Sequence, residues 1–275
     1  MIKAAVCGAC GRMGRRIIKT ISAQEDMKVV AAIEAPDSPQ IGEDAGKTAG
    51  IGKIGVKVIG SDKLEEELKK SKADVLVDFT VAEAAVKNVE VGAKAGVAIV
   101  VGTTGFSEEQ KNRMEKAIQN AEVPAIIAPN MSVGVNVFFK LAEQAAKLLK
   151  NYDVELVETH HDKKLDAPSG TAMKAAEIVA KSTDRELDKV AKFGRPKGEL
   201  GERPKDEIGI HSVRAGDVTG EHELIFAGPS ERLELIHRAQ SKQAFVSGVI
   251  KAIQHIVKEG KPGEIQDMQD VLRLK

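Results

Sequence analysis

Between positions 158 and 172 the chain reads Glu158-Thr159-His160-His161-Asp162-Lys163-Lys164-Leu165-Asp166-Ala167-Pro168-Ser169-Gly170-Thr171-Ala172. Two of the six histidines are adjacent here, lysines follow them, and the run leaves an expected strand, crosses a loop and enters a helix near Ser169. A histidine in that setting exchanges a proton near neutral pH. The helix start at Ser169, Gly170 and Thr171 offers backbone N–H donors and positive potential to a carboxylate, with lysine charge beside it. Two other readings fit the same letters. His160, His161 and Asp162 could ligate a metal, but adjacent residues on a strand point to opposite faces and seldom share one ion. A solvated polar loop without chemistry would also carry such residues.

A second group lies at the N-terminus. Gly8-Ala9-Cys10-Gly11-Arg12-Met13-Gly14 follows an expected strand and opens an expected helix. Glycine permits the tight turn and close backbone approach, and the helix start presents N–H groups to a pyrophosphate. Glu34 stands twenty residues after Gly14, where a carboxylate can accept from a ribose hydroxyl. That acid favours NADH, because it repels a 2′-phosphate, while Arg12 leaves NADPH allowed. The bland alternative is a Gly-rich structural turn. Cys7 and Cys10 spell C-x-x-C, which suggests a redox pair or half a metal site. No second cysteine pair exists, and small residues suit a loop that a ligand approaches closely, so no metal is expected.

These groups need elements to hold them. Short apolar runs at 2–7, 28–34, 75–79, 98–101 and 125–128 alternate with helix-like stretches at 12–23, 82–95 and 108–120. The runs are rich in Val, Ile and Ala, as expected for strands covered on both faces, and the alternation predicts a parallel, doubly wound Rossmann-type sheet. Ligands bind beyond the carboxyl ends of such strands. Three segments stand there: Asp78-Phe79-Thr80, Gly102-Thr103-Thr104-Gly105-Phe106 and Ala128-Pro129-Asn130-Met131-Ser132, each able to hold a nicotinamide ribose or carboxamide, or to be ordinary turns. The Gly-rich stretch 37–60 interrupts the pattern and reads as a mobile flap or irregular insertion.

Past Val133 the texture changes. Helices are expected at 135–150 and 171–181, strands at 153–159, 209–214, 221–226 and 232–238, an exposed loop at 193–206 and a final helix at 244–259. The expectation is an α+β domain with an open mixed or antiparallel sheet and helices on one face. Two domains follow from this change; their bounds, a dinucleotide-binding domain of residues 1–131 and 241–275 and a substrate-binding and oligomerisation domain of residues 132–240, are what the motifs' resemblance to a known family implies.

The 275 residues carry 41 Lys plus Arg against 41 Asp plus Glu, so no general field draws nucleic acid or an anionic membrane. Aromatic residues are 3% with no Trp, which leaves few stacking platforms for bases. The N-terminus shows no secretory pattern, no apolar run is long enough to span a bilayer, and two cysteines make no disulfide framework, so a cytoplasmic protein is expected.

Taken together, G-A-C-G-R-M-G-R, D-F-T, G-T-T-G-F, N-M-S-V-G-V-N and above all E-T-H-H-D-K-K-L-D-A-P-S-G-T-A closely resemble the dihydrodipicolinate reductase family, also called 4-hydroxy-tetrahydrodipicolinate reductases. The resemblance implies reduction of a cyclic unsaturated dicarboxylate to tetrahydrodipicolinate by NADH or NADPH, in lysine and diaminopimelate biosynthesis. By matching position, His160 is the proton donor and Lys164 the catalytic or substrate-orienting cation. His161, Ser169, Gly170 and Thr171 bind the substrate's carboxylates. Gly8, Ala9, Cys10, Gly11, Arg12, Met13, Glu34, Gly102, Thr103, Thr104, Ala128, Pro129, Asn130 and Met131 hold the cofactor. A homotetramer joined through the substrate-domain sheets is implied as well. Two positions depart from the family's pattern. Ala35 stands where members using both cofactors often carry Arg, and Ser241-Lys242 stands where some have Ser-Arg. An amino-acid dehydrogenase of the same fold, or a noncatalytic dinucleotide sensor, are the competing readings.

Overall fold

The computed structural model describes residues 1–275 and divides into two compact units, one of Met1–Ser132 with Phe245–Arg273, the other of Val133–Ala244. Strands of the first unit are β1 (Ile2–Cys7), β2 (Met27–Glu34), β3 (Val58–Gly60), β4 (Val75–Asp78), β5 (Ala98–Val101) and β6 (Ala125–Ile127); those of the second are β7 (Asp153–His160), β8 (Ala191–Phe193), β9 (Ile208–Arg214), β10 (Glu221–Gly228) and β11 (Glu231–Arg238). The chain then returns to the first unit with β12 (Ile265–Gln266).

In the first unit the sheet order is β12-β6-β5-β4-β1-β2-β3, every neighbour parallel. Strands covered on both faces need no alternation, and β4 and β5 are buried at every position. Successive residues of β1 feed opposite cores. Ala4 and Val6 face Ile17, Ile18 and Ile21 of α1 (Arg12–Ser22), while Ala5 and Cys7 lie with Leu64 and Leu68 of the later helix Leu64–Ser71. Glu108–Ala121 starts at a complete capping box, Ser107 accepting from the Gln110 N–H and Gln110 from the Ser107 N–H.

Residues 37–60 are mostly turns and bends, as an irregular insertion would be, but they hold two short elements. Ala45–Thr48 forms α2, and the Asp44 carboxylate ahead of it accepts from the N–H groups of Gly46, Lys47, Ile54 and Gly55. One acid thus ties the start of α2 to residues 54 and 55, and β3 follows at the sheet edge beside β2. The remaining helices are α3 (Leu64–Ser71), α4 (Ala82–Lys94), α5 (Glu108–Ala121), α6 (Val133–Leu148), α7 (Gly170–Ser182), α8 (Leu187–Val190), α9 (Gln243–Glu259) and α10 (Met268–Val271). In α9, Val246, Val249, Ile250, Ile253 and Ile256 enter the same core as α1, and β12 pairs with β6. Gly248 lies so near Met131 that a Cβ there would overlap the Met131 carbonyl oxygen.

The second unit is a mixed sheet of order β11-β10-β7-β9-β8, with β10 antiparallel to β7 and β11 and the β7–β9 and β8–β9 pairs parallel. Val154, Leu156, Ile208, Ile210, Leu224 and Phe226 pack against Phe138, Phe139, Ala176 and Val179 of α6 and α7. The opposite face carries Glu155, which accepts from Arg195 (3.0 Å), Arg203 (2.9 Å) and His211 (2.7 Å). Burial alone would raise this carboxyl, but those donors hold it at about 2. Val213 and Ile236 are exposed. No helix of the protein is long and apolar enough to cross a membrane.

Candidate active site

The conspicuous polar centre of the second unit is built on β7. Glu158 and His160 stand two residues apart on a strand, so both side chains emerge on one face. Glu158 is fully buried, and both of its oxygens accept hydrogen bonds. Oε2 takes His160 Nδ1 at 2.5 Å and Arg214 Nη1 at 2.9 Å; Oε1 takes Arg214 Nη2 at 2.8 Å and the Ser169 N–H at 3.1 Å. Burial would raise the Glu158 carboxyl, but the Arg214, Ser212 and His160 donors outweigh it and hold the group at about 2. Arg214 also donates to the Val213 and Asp166 carbonyls, at 2.7 Å each.

Ser169 is the N-cap of α7, its Oγ accepting from the Ala172 N–H at 3.1 Å. The same Oγ lies 3.0 Å from His222 Nε2 on β10, and the His222 ring meets the edge of the His160 ring with centroids 5.3 Å apart. Burial, then the neighbouring His160 and His237, push His222 down to about 3, so it is neutral at physiological pH. His160 is lowered by burial, against the pull of Glu158, which favours the imidazolium. Lys164 donates to the Asp166 carboxylate at 2.7 Å. His161 follows the strand, with its Nδ1 buried and no hydrogen-bond partner on the protein. Gly170 opens α7, and a Cβ there would meet nothing within 4 Å. Thr171 lies in the first turn.

Of the expected substrate residues, then, His160 and Ser169 meet on one carboxylate, Gly170 and Thr171 follow in the same helix turn, and Lys164 is joined to Asp166. Glu158, Arg214, Asp166 and His222 carry no expected role, although they hold the others. The Glu158-x-His160 spacing was readable as one strand face. Arg214 was not, because only the β7–β9 register sets it opposite His160, 54 residues away in the chain.

In the first unit a cavity of about 720 Å³ is lined by Gly8, Gly11, Glu34, Asp62, Phe79 and Lys87, among others. A Cβ on Gly14 would overlap the Gly8 carbonyl, so the turn closes only with glycine there. Helix α1 starts at Gly11 with no side-chain cap and no acid in its first turn, which leaves its leading N–H groups to an anion. Glu34 is fixed at the wall by the N–H groups of Cys10 (2.8 Å) and Ala35 (3.1 Å). Burial and Glu34 raise the Cys10 thiol to about 11, and burial raises Cys7 as well, so both stay protonated.

The loops after β4 and β5 share a buried acid. Asp78 accepts from the Thr80 N–H and hydroxyl (3.0 and 2.8 Å), the Thr103 hydroxyl (2.9 Å) and the Asn88 amide (2.8 Å). A Cβ on Gly102 would strike the Phe79 ring. Thr103, Thr104 and Pro129 line a separate cavity of about 530 Å³. Asn130 closes its turn by accepting from the Ser132 N–H at 2.9 Å. Ala128 and Met131 are buried in the core beneath α9, Met13 packs against that core, and Ala9 lies in it too; Arg12 is exposed. The expected cofactor residues therefore separate into cavity walls, loop braces and core. No group of three or more His, Cys, Asp or Glu converges in a geometry suited to a metal.

Two family models match the chain, "Dihydrodipicolinate reductase, N-terminus" over residues 2–131 and "Dihydrodipicolinate reductase, C-terminus" over residues 134–272. The chain is 56% identical over 276 aligned positions to a 4-hydroxy-tetrahydrodipicolinate reductase of Methanocaldococcus jannaschii, covering 100% of this chain and 98% of that one. It is 54% identical to the enzyme of that name from Methanosphaera stadtmanae, over 100% of both. Among solved structures, the dipicolinate-bound dihydrodipicolinate reductase of Paenisporosarcina sp. TG-14 superposes with a TM-score of 0.78 at 29% identity, covering 98% of each chain.

Proposed function

Because the chain belongs to the dihydrodipicolinate reductase family, we propose that it is the NAD(P)H-dependent oxidoreductase that reduces a cyclic unsaturated dicarboxylate to tetrahydrodipicolinate in lysine and diaminopimelate biosynthesis. The observation that carries this reading to particular residues is the Glu158 carboxylate, which holds a titratable ring, His160, and the head of α7 at the same time. A bound reduced nicotinamide supplies the hydride. The chain's own residues bind, orient and protonate. The N–H groups at Gly170 and Thr171, with Lys164, hold the substrate's carboxylates, the lysine exchanging Asp166 for substrate. Hydride addition to a conjugated imine leaves a carbanion-like centre, and His160 delivers the proton it needs. His161, with its buried unpartnered Nδ1, contributes a further polar contact to the substrate.

Glu34 at the cavity wall favours NADH over NADPH. Asp62 and Glu83 also line that cavity against the single cation Lys87, which Glu83 already pairs at 3.0 Å, so the wall around Glu34 is acidic on balance and disfavours a 2′-phosphate. The exposed Val213 and Ile236 on the helix-free face of the second sheet support assembly into a homotetramer.

The test follows nicotinamide absorbance while the protein meets freshly condensed pyruvate and aspartate semialdehyde. NADH oxidation dependent on that product is expected, with a higher kcat/KM than for NADPH. His160→Gln should lower kcat by about two to four orders of magnitude with cofactor affinity retained. Consumption of neither cofactor overturns the substrate assignment, and an unaltered rate in the variant removes His160 from the mechanism.

A further inference from the structure

Glu158 has no place in the reading above beyond scaffolding, yet its geometry specifies which atom of His160 can work. A fully buried carboxylate carrying these donors is an anion with no proton of its own. At 2.5 Å from it, His160 Nδ1 must therefore carry a hydrogen. The ring's other nitrogen, Nε2, is left as the atom that gains and loses a proton. The residue facing that atom has no side chain to cover it. Gly220, just before β10, approaches Nε2 so closely that a Cβ there would stand 3.0 Å away. The backbone is also braced, since the His160 carbonyl accepts from the Ala215 N–H at 2.9 Å and Asp162 N–H donates to Gly216 at 3.1 Å.

We propose that Glu158, clamped by Arg214, is the positioning residue of this site: it fixes His160 with Nδ1 protonated, so that Nε2, left uncovered by Gly220, is the proton-donating atom. The inference rests on the reading of His160 as the proton donor and adds the residue that aims it. Arg214 supplies the countercharge that lets a carboxylate stay ionised in a dry setting, and its second bonds, to Val213 and Asp166, hold it in place. The Ser169 N–H, donating to Oε1 of the same carboxylate, ties the orientation of the ring to the head of the substrate helix. Orientation of a catalytic imidazole by a buried carboxylate is a known way of choosing its tautomer.

Two measurements test this. The first needs no variant. Long-range 1H–15N spectra of protein labelled with 15N-histidine should show neutral His160 protonated on Nδ1. A proton on Nε2 in the neutral ring overturns the proposal. The second is Glu158→Gln, which keeps the shape but removes the charge. It is expected to lower kcat about a hundredfold or more with KM for NADH within about twofold of the parent. The pH at which kcat declines should move down, because the imidazolium then faces Lys164, Arg214 and neutral His222 without its anion. Glu158→Asp should restore part of that displacement. An unchanged pH profile in a folded Glu158→Gln enzyme overturns the proposal. Loss of rate in His160→Gln alongside a wild-type Glu158→Gln sinks the positioning role while sparing the donor. A wild-type rate in His160→Gln sinks the donor itself, whatever the spectra show.

Discussion

His222 shows how a residue with no expected role acquires consequences from burial. It sits between Phe138, His160 and His237, with its Nδ1 buried and unpartnered, and burial lowers it to about 3 from an ordinary 6.5. The unfolded chain therefore binds a proton below pH 6.5 that the folded chain refuses until about pH 3. Stability from this group is unaffected above pH 6.5 and falls as pH drops through that window, at up to about 1.4 kcal/mol per pH unit. Urea unfolding between pH 6.5 and 4.5 should show a shallower pH slope for His222→Asn than for the parent, by up to one proton. Restricting the window to that range excludes Glu155 and Glu158, which give up their contribution only between 4.5 and about 2. Equal slopes for the two proteins would mean that His222 is not held neutral.

At the scale of elements, glycines separate backbone that must touch from backbone that is merely exposed. Gly14 in α1 lies against the Gly8 carbonyl, whereas Gly170 at the start of α7 has open space where a Cβ would go. Gly14→Ala should cost roughly 1–3 kcal/mol and weaken NADH binding, because the phosphate turn must open to admit the methyl. Gly170→Ala should leave thermal stability within about 1 kcal/mol of the parent, since alanine also suits a helix better. Equal melting temperatures for parent and Gly14→Ala would refute the close approach. The first of these constraints was legible in the G-x-x-G-x-x-G spacing, as were β1, α1, β2 and Glu34 around it, because a strand, a turn and a helix there are contiguous. Residues 37–60 were not legible. β3 is three residues long, too short for any hydrophobic period, and Asp44 holds the stretch through N–H groups up to eleven positions away. The proton-donor segment was legible as letters, but its clamp was not, since Arg214 reaches Glu158 across 56 residues and two strands.

For the whole molecule, the uneven second sheet is the feature with the widest reach. Its inner face is filled by α6 and α7, while its outer face joins the Glu155 ion network to the exposed Val213 and Ile236. A sheet with one uncovered apolar strip invites a second copy. Sedimentation of Val213→Lys/Ile236→Lys should give a smaller species than the parent, with the far-ultraviolet spectrum retained. An unchanged sedimentation coefficient would overturn assembly through this face. The balance of 41 basic and 41 acidic residues adds no net repulsion against such assembly.

The return of the chain to its first unit has a further consequence, in the order of synthesis. Val133–Ala244 is one uninterrupted stretch, so every strand of its sheet is synthesised before α9. The first unit, begun earliest, still lacks α9 and β12, and its core beneath Ala4, Val6 and Val100 stays open on that side until the last thirty or so residues arrive. The half of the protein translated first is thus completed last, since it alone waits for α9 and β12.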